Sequence, residues 1–163
     1  MNIFVLGETP QESAYDQCDK HVVKMVLESA QLLCSAFPEG EAPYKRTHYN
    51  HPCGVWTRAS SGNYEWLLDH ADALCDEYTR RYGKRHKSQD VIEWCRENMS
   101  TLDFPTHELT EHPQCMPDEY KHDNVVEAYR RYYIEDKAYM AQWDHTRTPG
   151  WFLFGTFNRM ETA

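Results

Sequence analysis

Cys18-Asp19-Lys20-His21-Val22-Val23-Lys24-Met25-Val26-Leu27-Glu28 is the stretch on which the fold turns. Val22, Val23 and Val26, continued by Ala30, Leu33 and Phe37, recur at helical spacing and make one apolar face. His21, Lys24, Glu28 and Gln31 fall on a second face that is wholly polar. The pattern predicts an amphipathic helix from about Ala14 or Asp19 to Ala36, ended by Pro38 and Gly40.

Outward from this helix the same periodicity continues. A short helix is expected over Val55–Ser60. A long one, capped by Ser61 or Asn63, should run to about Tyr82 and stop at Gly83. Ser88 opens another that reaches about Asn98, and a last long helix is expected over Asn124–Trp143, with Val125, Ala128, Tyr129, Tyr132, Ala138 and Tyr139 mostly inward. Ser100–Cys115, with Pro105 and Pro113, reads as an extended connection, and Met116–Tyr120 as a short helical turn. Residues 1–12 read as an extended arm. Pro149 should end regular structure, leaving residues 144–163 as a tail docked through Trp151-Phe152-Leu153-Phe154. The expected fold is mainly α: one single-domain helical bundle over 1–163, of about five helices with a short extended amino-terminal segment.

The chain has 163 residues, 13% of them aromatic, and a net charge of −9. Five Trp and eleven Tyr argue for a packed core despite a mean hydropathy of −0.82. The acidic balance disfavours non-specific nucleic-acid binding but leaves room for a local basic groove. Arg80, Arg81, Lys84, Arg85, His86 and Lys87 form one basic cluster, which also reads as cations decorating a helix C-terminus. No apolar run is long enough to span a membrane. Met1–Leu6 is too short for a secretory core, so the six scattered cysteines are expected as reduced thiols in a cytoplasmic protein.

Chemistry concentrates in the helix and in Thr47-His48-Tyr49-Asn50-His51-Pro52-Cys53. Glu28 can act as acid or base if a cleft buries it; otherwise it is a solvated partner of Lys24 four residues before it. Pro52 directs His51, which with Asn50 can face a site or lie in a surface turn. Tyr44, Lys45, Arg46, Tyr49 and Trp56 mix cations and rings, the combination that holds phosphate and stacks a base. A metal is the competing idea. His21, His48, His51 and Cys53, with Cys18 nearby, could ligate zinc, although their spacing matches no standard zinc module.

At these residues the chain resembles the small all-helical pyrimidine-dimer DNA glycosylase/AP-lyase family of phages and bacteria, over roughly its first 90 residues. The resemblance is carried by the amino-terminal Met1-Asn2-Ile3-Phe4, the helix from Asp19 to Glu28, the Asn50-His51-Pro52 loop and the Arg81-Tyr82-Gly83 step. It also resembles small phage-encoded proteins that share the Cys-Asp-Lys-His and Asn-His-Pro-Cys segments and to which no function attaches. The family resemblance implies that the free α-amine, here on Met1, attacks the sugar C1′, and that Glu28 supports the ring-opened sugar and the later elimination. The expected function is then an N-glycosylase or lyase acting on a damaged or modified base in DNA, without a cofactor. Glu28, Met1, His21 and His51 would be catalytic. Lys24, Lys45, Arg46, His48, Asn50 and Trp56 would bind substrate. Two other classes stay open: a metal-dependent hydrolase of a nucleotide-type substrate, and a non-enzymatic phage protein that binds a host partner in the host cytoplasm. One geometric condition decides the site: the Asn50-His51 loop must cover the His21/Glu28 face.

Overall fold

The computed structural model describes residues 1–162. They form seven α-helices: α1 (Pro10–Tyr15), α2 (Asp19–Cys34), α3 (Pro52–Ala59), α4 (Ser61–Tyr82), α5 (Gln89–Asn98), α6 (Val125–Tyr132) and α7 (Gly150–Thr162). Among the described residues there is no β-strand, and no helix is long and apolar enough to cross a membrane. The expected all-α class holds, with two helices more than the periodicity indicated.

The extra helices have local causes. Thr9-Pro10-Gln11-Glu12 opens α1: Thr9 Oγ1 accepts from the Glu12 N–H at 3.1 Å, and the Glu12 carboxylate accepts from the Glu8 N–H. The expected arm therefore ends before Pro10. At the other end, Pro149 begins a helix instead of ending order, because its carbonyl accepts from the Phe152 and Leu153 N–H groups. Trp151 and Phe152 dock α7, through a Trp151–Asp16 hydrogen bond and Phe152 packed on Trp143; Leu153 and Phe154 face outward.

The α2, α4 and α5 helices pack together around Val22, Val26, Leu33, Leu67, Leu74 and Ile92. Gly83 stops α4 as expected, at φ 72°. The side chain of Arg81 is fully buried. It donates to Glu77, Asp19 and the carbonyls of Tyr15 and Gln17, and so ties the end of α4 to the α1–α2 junction. Its neighbours in the basic cluster are also engaged: Arg80 with Glu77, Arg85 with Asp90 and Glu93, and His86 with the Val23 carbonyl.

The expected last long helix is interrupted. A five-residue π-helical turn, Tyr133–Lys137, follows α6. Tyr133, four residues after Tyr129, keeps the buried phase of α6, whereas Ala138 and Tyr139 follow the last helical residue and are exposed.

Two irregular segments position the site. Residues 2–6 run through the core without a strand partner, and side chains satisfy the backbone instead. Ser13 bridges the Phe4 carbonyl and the Leu6 N–H, while Gln17 donates to Ile3 and Phe4. Phe4 takes φ 60°, a left-handed turn that costs an aromatic residue about 1–3 kcal/mol and aims the chain's start at α2. The second segment, residues 102–117, straps over α3 and α4. Asn63 pairs with Thr110 at both amide positions, and Trp56 donates to the Thr110 carbonyl. A Cβ on Gly62 would stand 2.7 Å from the Leu109 nitrogen, so glycine is required for this approach. The strap delivers Cys115 beside the amino terminus.

Candidate active site at the amino terminus

The polar stripe of α2 is only partly open to solvent: Lys24 is exposed and Gln31 half-buried. His21 and Glu28 are buried, and the amino-terminal segment lies over them. Glu28 Oε1 accepts from the Asn2 N–H at 3.2 Å and stands 3.4 Å from the Met1 α-amine. Its other oxygen lies 3.6 Å from Lys24 Nζ. The Met1 side chain is 2% exposed although the residue as a whole is half-buried, so its accessible part is the main-chain end.

These groups line a cavity of about 430 Å³ with Phe4, His21, Met25, His51, Cys115, Tyr132 and Lys137. Three cations, the α-amine, Lys24 and Lys137, meet a single lining carboxylate. Inside a chain of charge −9 this is a local positive pocket.

Asn2 holds the terminus in place. Its Oδ1 accepts from the Ile3 N–H and from Tyr129 Oη, and its Nδ2 donates to the Cys115 carbonyl. The one Tyr129 hydroxyl proton is shared between Asn2 Oδ1 and the Pro113 carbonyl, and Oη accepts from the Cys115 N–H. One buried tyrosine thus fastens both the terminus and the strap.

His21 stacks on Phe4 at 4.2 Å, and its Nδ1 lies 2.5 Å from Tyr133 Oη. Burial, with Lys137 and Lys24 nearby, lowers its pKa to about 3, so the ring is neutral and shapes the wall without transferring protons near pH 7. His51 is the N-cap of α3, its Nδ1 accepting from the Cys53 N–H at 3.1 Å. Its pKa is lowered, first by burial and then by the adjacent amino terminus. Cys53 and Cys115 approach at 3.6 Å between sulfurs. Sharing that contact lowers the Cys115 thiol to about 7 and raises the Cys53 thiol.

Met1, His21, Lys24, Glu28 and His51 line one cavity, but the amino-terminal segment covers the His21/Glu28 face, and the loop reaches the cavity only through His51. Asn50 does not line the cavity; it is exposed, as are Lys45 and His48, and Arg46 is half-buried. Arg46 and Arg58 sandwich the Tyr49 ring at 4.1 and 3.6 Å. Trp56, expected to contact substrate, is instead 6% exposed, with its indole bonded to the strap and stacked on His112. It has no face left for a base. Of the four alternative metal ligands, only His51 and Cys53 enter a metal-sized group, and the third member is Cys115. Residue-level reading missed Asn2, Cys115, Tyr132 and Lys137 as members of the site. Three of these come from far along the chain and carry no spacing motif, while Asn2 could have been inferred from the role given to Met1.

Comparisons with curated proteins and with solved structures gave no match. A model of the family described as pyrimidine dimer DNA glycosylase matches residues 1–90, more than half of the 163. The matched part contains the amino terminus, Lys24, Glu28 and His51, whereas Cys115, Tyr132 and Lys137 lie beyond it. The chain belongs to the pyrimidine dimer DNA glycosylase family, and its function is of the DNA glycosylase/lyase kind, with DNA as the substrate class.

Proposed function

We propose that this protein removes a damaged pyrimidine from DNA and cleaves the resulting abasic site, with the Met1 α-amine as nucleophile and Glu28 as its proton acceptor. The observation that carries this reading is the pair of backbone nitrogens, Met1 and Asn2, at 3.4 and 3.2 Å from one oxygen of Glu28. Glu28 stands where it can accept the proton whose loss frees the α-amine lone pair for attack. If Met1 is cleaved in the cell, the nitrogen of Asn2 becomes the amine, already beside the same carboxylate.

In the reaction, Glu28 takes a proton from the ammonium and the freed lone pair attacks C1′. The C1′–N bond to the base breaks, its electron pair leaving with the base, which takes the proton held by Glu28. The sugar ring opens to a protonated imine linking the α-nitrogen and C1′, as one α-nitrogen proton passes to O4′. The Glu28 carboxylate then takes a C2′ proton, and the 3′ phosphate leaves with the C3′–O electrons. Lys24 and Lys137 compensate phosphate charge at the cavity. His51, neutral and held at the start of α3, contacts the displaced base. Lys45, Arg46, His48 and Asn50, on the loop before α3, meet the flanking backbone.

Borohydride trapping on oligonucleotides with an abasic site or a pyrimidine dimer tests this. A covalent adduct should form, disappear when the amino terminus is acetylated, and fall by about 10²-fold or more in rate in Glu28→Gln. Absence of adduct, strand cleavage and base release on both substrates would refute it.

A further inference from the structure

We propose that His51, Cys53 and Cys115 bind a zinc ion that clamps the 102–117 strap to α3 and to the amino terminus. Among the described residues, these are the His, Cys, Asp and Glu side chains whose donor atoms converge, all within 4.8 Å of one another. Tetrahedral zinc with Zn–S bonds of about 2.3 Å sets its two sulfurs about 3.7 Å apart. The Cys53 and Cys115 sulfurs stand at 3.6 Å. A disulfide requires about 2.05 Å, so the pair has the spacing of two ligands on one ion.

The third donor needs one exchange. His51 Nδ1 accepts the Cys53 N–H, so the neutral ring carries its proton on Nε2, and ligation through Nδ1 replaces that hydrogen bond with the ion. Two thiolates and a neutral imidazole suit zinc in charge and softness. Cys53 is fully buried, while His51 and Cys115 line the same cavity as Glu28 and the amine. A second thiol pair shows what is specific here: Cys34 and Cys95 approach at 3.7 Å with no third donor of this kind among the described residues.

The clamp has a geometric consequence. Cys115 accepts the Asn2 side chain at its carbonyl, so an ion on its sulfur ties the strap, α3 and the start of the chain together. Binding forms two Zn–S bonds, and each thiol still protonated loses its S–H proton to water, so between one and two protons leave.

Titration of the reduced, metal-stripped full-length protein with cobalt(II) tests the site without reference to activity. One equivalent should bind, with thiolate-to-cobalt charge-transfer bands, tetrahedral d–d bands and between one and two protons released, and zinc should displace it. Cys115→Ser and His51→Gln should each weaken binding by more than about tenfold, and Cys34→Ser should not. Absence of these bands in the wild-type protein overturns the proposal whatever the variants do. So do bands that persist in Cys115→Ser, or that vanish in a folded Cys34→Ser protein.

Discussion

Lowering the pH from 7.5 to 5 should strip away much of this protein's stability, and three enclosed histidines set the size of the effect. His70 is fully buried, with Nδ1 on the Pro10 carbonyl and Nε2 on Gln17; His21 is buried under Phe4; His112 is half-buried between Trp56 and Trp66. Desolvation lowers their pKa values from 6.5 to about 4, about 3 and about 4. Above pH 6.5 folded and unfolded chains both carry neutral rings, and the histidines add no pH dependence. Below 6.5 the unfolded chain takes up protons that the folded chain refuses. Stability is therefore lost from pH 6.5 downward until the folded rings titrate at 3 to 4. At pH 5 each ring contributes a loss of about 2 kcal/mol, less for the half-buried His112, or about 4–6 kcal/mol together. Raised Asp16 and Asp72 carboxyls act in the opposite sense as pH falls towards the carboxylate range. Against a typical total of about 5–15 kcal/mol, the predicted loss is large. Urea unfolding followed by tryptophan fluorescence at pH 7.5, 6.5, 5.5 and 5.0 measures it directly. His70→Gln, compared with wild type, should show a shallower decline by about one proton. An unfolding free energy at pH 5 within about 1 kcal/mol of that at pH 7.5 would refute the reasoning.

Two further outcomes follow from the buried ion network and the positive pocket. Arg81→Met should destabilise by about 3 kcal/mol, at the low end for a broken buried pair because Arg80 stays on Glu77, and should lower Tm by roughly 6–12 °C in a calorimetric scan. Lys137→Ala should weaken binding to abasic DNA uniformly across sequences and reduce the log–log salt slope by about one ion, while leaving the fold intact by circular dichroism.

Much of the architecture was legible before any coordinates. Val22, Val26, Ala30 and Leu33 repeat with the helix period, and Gly83 stops α4, because both depend on neighbours within a turn or two. The Thr9 cap and the Pro149 helix start are equally local and were readable, but their turn residues suggested an arm and a tail. The end of the α6 helical run at Lys137 was not readable, since Ala138 and Tyr139 continue the apolar pattern beyond the last helical residue.

The site divides along the same line. By itself the sequence determined that α2 carries His21, Lys24 and Glu28 on one stripe, and that a proline-directed histidine follows in a loop; the covalent order and the 3.6-residue period suffice for both. Only the tertiary structure decided that His21 and Glu28 on this stripe are buried under the chain's own start, that Trp56 belongs to the core, and that Arg81 ties helices together. It also brought Cys115, Tyr132 and Lys137 to Glu28. The reason is physical. Periodicity says which side chains share a face but not what covers it. Covering this face took Phe4 in a left-handed turn, Gly62 without a Cβ, and Tyr129 bonded to both Asn2 and the strap.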